Sequence, residues 1–109
     1  MALIRDSKLV ALLREGRFEE FNQLAAQAPP DLRNADLRML DLRHADLAHA
    51  DLRGAYLRNA DLRGLNLSGA LLEGASLHDT RVSGVLFPPA LKAEEIRLSL
   101  AFGTRMRLL

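Results

Sequence analysis

Cysteine is absent from the chain, so no disulfide and no cysteine-based metal site can form. An excess of one charge is also missing. The formal net charge of +1 singles out neither nucleic acid, nor a membrane, nor an acidic partner. Long apolar runs do not occur. Leu9–Leu13 is too short, and too closely flanked by charge, for a signal peptide or a membrane span. The histidines His44, His49 and His78 form no i, i+4 pair and no His-x-x-Glu arrangement, which argues against a metal site. Neither a Gly-rich phosphate loop nor a Ser elbow is present. With 109 residues the chain is expected to form one domain with a modest core.

What is there is a period of five. From Pro30 the sequence divides into twelve units: PDLRN, ADLRM, LDLRH, ADLAH, ADLRG, AYLRN, ADLRG, LNLSG, ALLEG, ASLHD, TRVSG and VLFPP. Their central residues are Leu32, Leu37, Leu42, Leu47, Leu52, Leu57, Leu62, Leu67, Leu72, Leu77, Val82 and Phe87, and a small residue, most often Ala, stands two places before. Period five fits neither the 3.6 of a helix nor the 2 of a strand. A turn in every unit resolves this by pointing the central and small residues to one axis. Four units then return the chain above its start, so residues twenty apart become vertical neighbours. The twelve central residues are the expected core, each central Leu contributing roughly 1.5–3 kcal/mol by burial. Leu40, Leu65 and Val85 replace the small residue, so those corners are expected to bulge.

These A-(D/N)-L-x-x units resemble the pentapeptide-repeat family over residues 30–89. The resemblance implies an all-β solenoid, a right-handed quadrilateral β-helix of about three coils. The central Leu and small residues are expected to fill its axis and leave no room for a ligand. The non-repeat ends read as helical caps. In the N-terminal cap, residues 1–29, Ser7 can N-cap a short helix that ends at Gly16, and a second helix over about Arg17–Ala28 carries Phe18, Phe21, Leu24, Ala25 and Ala28. The alternative is a partner-binding hairpin. Residues 90–109 form a C-terminal capping and dimerisation segment. If helical, Leu91, Leu98 and Phe102 share one side and Ala93, Ile96 and Leu100 nearly the opposite one. Alternation of Ile96, Leu98, Leu100 and Phe102 leaves a strand open as well. Either form needs something to bury against: the last coil on one side and a second copy of the chain on the other. Ile96, Leu98, Leu100 and Phe102 are thus the candidate dimer interface, and a C-terminal dimer is also what the resemblance implies.

Three outer faces set an Asp column beside an Arg column. Acid–base catalysis needs a carboxylate in a pocket that shifts its pKa, whereas these sit on a convex wall. The fourth face lacks Arg and presents Asp46, Ala48, Asn66 and Ser68, the candidate contact face unless a terminal segment folds over it. Leu71 and Leu86 point outward and are expected under the C-terminal helix. Tyr56 is an exposed aromatic, an ordinary surface residue or a contact hot spot. Gly and Asn at corners suit turns with positive φ, while Met39, His44 and His49 suggest a different turn.

The functional expectation is a non-enzymatic structural or protein-interaction module. It has no catalytic residue, no metal and no cofactor, meets an unidentified protein partner, dimerises through its C-terminal segment and resides in a bacterial cytoplasm away from membranes. Two alternatives stand. Some members of the family resemble duplex DNA and act on DNA gyrase, although six Arg against six Asp between Pro30 and Ala70 remove the acidic field a mimic needs. Nucleic-acid binding through Arg33, Arg53, Arg38, Arg58, Arg43 and Arg63 needs a net basic stripe, and each Arg column runs beside Asp.

Overall fold

The computed structural model describes residues 7–108; residues 1–6 of the N-terminal segment and Leu109 of the tail lie outside the described residues. Three helices are its only regular elements: α1 (Lys8–Arg14), α2 (Phe18–Gln27) and α3 (Ala93–Phe102). The expected all-β quadrilateral β-helix is corrected by this observation. Among the described residues there is no β-strand and no sheet. The repeat is instead a stack of turns joined by isolated parallel bridges, each one residue wide. The reason lies in the length of the unit. Each unit closes a turn on itself, as where the Ala35 N–H bonds Leu32 C=O and the Ala60 N–H bonds Leu57 C=O. What remains extended is too short to propagate a ladder.

The bridges join Asp31 to Asp51, Asp51 to Leu71, Asp36 to Tyr56, Tyr56 to Ser76, Asp41 to Asp61, Asp61 to Arg81 and Asn66 to Leu86. All are separated by twenty residues, the vertical spacing the sequence predicts. Asp46 and Asn66 do not bridge each other.

Along the axis Leu32, Leu37, Leu42, Leu47, Leu52, Leu57, Leu62, Leu67, Leu72 and Leu77 are buried, whereas Val82 and Phe87 are only half-buried. Alanines two places earlier, such as Ala35, Ala55 and Ala60, are buried beside them. The bulkier Leu40, Leu65 and Val85 at that position stay half-buried.

One corner departs from expectation. Met39 has φ 66°, in the left-handed region that its side chain disfavours. Its stacked neighbours Asn59 and Asp79 share the conformation (φ 58° and 54°). The column dictates it. Met39 N–H donates to Arg58 C=O at 2.8 Å and Asn59 N–H to His78 C=O at 3.0 Å, so each peptide must point at the layer above. His44 and His49 are not in this region.

Each end is closed in part by groups that replace a missing layer. At the N-terminal end Ser7 caps α1, its Oγ accepting from Val10 N–H, and Phe21 of α2 is fully buried. Asn22 then supplies what a layer below would. Its Oδ1 accepts from Asp46 N–H at 2.7 Å and its Nδ2 donates to His44 C=O at 3.0 Å. Arg14 donates to Asp36 C=O at 2.8 Å. At the C-terminal end residues 93–102 are helical, which resolves the strand alternative. Ser99 Oγ accepts from Leu77 N–H at 2.8 Å, and Leu100 C=O accepts from Asp79 N–H at 3.1 Å. The last carbonyls of a helix lack intrahelical partners, and the upper N–H groups of the stack lack acceptors; at Leu100 each need meets the other.

Candidate interaction surfaces

The walls are built from the unit itself. In Asp31–Arg33 the carboxylate accepts the Arg33 backbone N–H, Nε and Nη2, at 3.2, 2.9 and 2.9 Å. The same three bonds recur in Asp36–Arg38, Asp41–Arg43, Asp51–Arg53 and Asp61–Arg63. The i, i+2 spacing permits this because both residues flank an inward Leu and project from one wall. The guanidinium hydrogen bonds hold these carboxyls below the usual range, Asp36 to about 2 through Arg38. Diagonal contacts at 3.8 Å (Arg33–Asp51) and 3.4 Å (Arg43–Asp61) tie adjacent layers. Three of the walls therefore carry neutralised pairs in their lower two layers. Arg58, whose unit carries Tyr56 in place of Asp, has no ion pair among the described residues.

On the fourth wall Asp46, Asn66 and Ser68 are exposed and Ala48 is half-buried. Asp46 Oδ1 accepts from Ala48 N–H, and Asn66 Oδ1 from Ser68 N–H and Oγ. Their acceptors are thus partly occupied within the wall. Of the helices, α2 reaches this wall through Asn22 at its lower margin. The wall is also tight: a Cβ on Gly69 would lie 2.9 Å from Ala48 O and His49 Nδ1.

The two sides of α3 separate. Ile96 and Leu100 pack against the core together with buried Ser99 and Glu95, whereas Leu98 is 40% and Phe102 74% exposed. Of the candidate dimer residues, Ile96 and Leu100 are engaged within the chain and Leu98 and Phe102 face outward, flanked by Glu94, Arg97 and Ala101. Leu91, expected beside Leu98 and Phe102, is buried instead. The expectation that α3 covers Leu71 and Leu86 is corrected: they are 50% and 60% exposed, because α3 lies over Leu77 and Asp79. Leu71 borders a small apolar hollow with Leu91, Pro88 and Leu108.

The tail is fastened. Arg105 lies over the Tyr56 ring at 4.7 Å and donates to Gly74 C=O at 2.8 Å, so Tyr56 serves as a platform for the chain's own tail. Met106 is buried and bonds the top layer in both directions, its C=O accepting from Gly74 N–H and its N–H donating to Ala75 C=O. Arg107 returns to α3, binding Glu95 through its backbone N–H, Nε and Nη2 at 2.8, 3.1 and 3.0 Å. These bonds lower the Glu95 pKa.

Sequence reasoning missed Arg14, Asn22, Glu95, Ser99 and Met106. For Asn22 and Ser99 a signal existed: a polar residue beside Phe21, and another between Ile96 and Leu100, each next to an apolar stripe that has to bury.

Among the described residues no group of three or more His, Asp or Glu side chains is placed to hold a metal ion, and no helix is long and apolar enough to cross a membrane. A family model for pentapeptide repeats matches the chain in eight copies, over residues 31–64 and 50–87. Comparison with curated proteins and with solved structures returned no match.

Proposed function

The chain belongs to the pentapeptide-repeat family, and on that basis we propose that it is a non-enzymatic cytoplasmic module that self-associates through α3 and meets another protein on its remaining surface. The observation carrying the reading is the outer side of α3. Phe102 and Leu98 stand one helical turn apart, exposed, on a molecule three of whose walls carry neutralised Asp–Arg pairs. A two-fold axis through this patch apposes Phe102 and Leu98 with their copies and leaves Ile96 and Leu100 in the fold. The packed axis supports a role for the exterior, since the central leucines fill the space a ligand would occupy.

Light scattering across a concentration series tests this. The wild type is expected to dimerise, and Phe102→Asp to be monomeric with an unchanged circular dichroism spectrum. A wild type that stays monomeric at high concentration ends the dimer reading. Leu100→Asp is a poor probe, because Leu100 packs on the core. The Asp–Arg pairing weakens both alternatives, since it cancels the acidic field of a DNA mimic and the basic stripe of a nucleic-acid binder. Inhibition of gyrase supercoiling would revive the first, and a salt-dependent gel shift the second.

A further inference from the structure

We propose that the uncovered part of the C-terminal end, over Arg81–Gly84, docks an extended acidic segment of a partner protein that adds one more unit to the stack. The inference rests on the interaction-module reading but not on the α3 dimer.

Each layer satisfies the one below with a fixed set of bonds. On this wall Asp61 N–H donates to Leu40 C=O and Leu42 N–H to Asp61 C=O, both at 2.9 Å. One layer up, Arg81 N–H donates to Ala60 C=O, Leu62 N–H to Arg81 C=O and Gly64 N–H to Ser83 C=O, again at 2.9 Å. In the top layer the equivalent groups are Thr80 C=O, Val82 N–H and Gly84 N–H, and none has a partner among the described residues. On the adjoining wall the corresponding donors are taken by Ser99 and Leu100, and one wall further back Gly74 and Ala75 are held by Met106.

The side chains repeat the pattern. Leu42 and Leu62 are fully buried on this wall, but Val82 above them is half-buried, with half-buried Val85 and exposed Leu86 alongside. Two free donors, one free acceptor and an open apolar end therefore coincide. Met106 shows how such a place is filled by non-repeat chain, with one residue bonding both ways and its side chain buried. Addition of an extended segment to an exposed row of backbone groups is a general mode of peptide capture.

Charge selects the occupant. Arg81 is exposed and has no ion pair among the described residues, while Asp61 beneath it is already held by Arg63 and Arg43. A second copy meeting this edge would bring only another Arg81–Gly84 segment, which carries no acidic group to pair with Arg81. A segment with an acidic residue above Arg81 and an aliphatic one above Val82 supplies the missing charge, the missing apolar cover and the carbonyls for Val82 and Gly84.

The test uses the full chain, 15N-labelled, titrated with acetyl-Ala-Glu-Leu-Ser-Gly-amide and with the same peptide carrying Lys for Glu. Before addition, the Val82 and Gly84 amides should exchange freely while Leu62 and Gly64 are protected. The Glu peptide should shift both amides saturably in the millimolar range and slow their exchange. Arg81→Glu, at an exposed position, should weaken the Glu peptide by about tenfold and favour the Lys peptide. Equal binding of the two peptides, absence of saturable shifts at Val82 and Gly84, or shifts at these amides that depend on protein concentration without peptide would each overturn the proposal. Loss of peptide binding with an intact α3 dimer would sink this site and leave the module reading standing.

Discussion

Replacing Met39 by glycine should stabilise the protein, although it removes an apolar side chain. Met39 sits at φ 66° and is 76% exposed, so its side chain gains little from packing and its backbone is held where a Cβ is crowded. The left-handed conformation costs a non-glycine residue roughly 1–2 kcal/mol. Against this, glycine loses more conformational freedom on folding, about 0.5–1 kcal/mol. The difference predicts a net gain of about 0.5–1 kcal/mol, with the Met39 N–H bond to Arg58 C=O retained. Urea unfolding at pH 7, followed by circular dichroism, reads this as a higher midpoint at unchanged slope. Gly64→Ala gives the opposite sign at a matched site. Its φ is 78° and an added Cβ meets nothing within 4 Å, so the loss should be strain less the entropy gain, about 0.5–1 kcal/mol. If Met39→Gly destabilises by more than about 0.5 kcal/mol, or Gly64→Ala costs nothing, the column does not impose the turn and the reasoning fails.

Leu57→Ala, at the centre of the axis with no exposure, should cost about 2–5 kcal/mol by the cavity it leaves; a loss near that of an exposed Leu86→Ala would mean the axis is not a packed core. Asn22→Ala should cost about 1 kcal/mol by releasing Asp46 N–H and His44 C=O, and faster exchange of the Asp46 amide is the direct check. Acid should destabilise the fold. Asp31, Asp36, Asp41, Asp51, Asp61 and Glu95 have pKa values lowered by Arg partners, so as pH falls the unfolded chain takes up protons first. Stability is then flat above the ordinary carboxylate range and declines from about pH 4 downward, with Asp36 titrating near 2. Urea midpoints at a series of pH values test the trend; midpoints unchanged at acid pH would show that the wall pairs do not survive in solution.

The vertical neighbours were legible without coordinates. A repeat of five with one turn per unit brings residues twenty apart together, and Asp31, Asp51 and Leu71 stack as that arithmetic requires. The inward Leu and Ala positions follow from the same periodicity. Extended strands did not follow, because pairing partners are set by the period but strand length by how many residues the turn leaves over. Only the folded chain decided the ends and the contact surfaces. In α3 the sequence offers two apolar sides, and nothing local says that Ile96 and Leu100 pack inward while Leu98 and Phe102 face out. That choice depends on where Ser99 and Leu100 find the unpaired N–H groups of Leu77 and Asp79. Periodic positions are determined by neighbours at a constant chain separation, so the sequence alone determines them. Closure, the strained corner at Met39 and the open edge at Val82 arise where unsatisfied groups of one element meet another distant in sequence, and only the assembled tertiary structure brings those together.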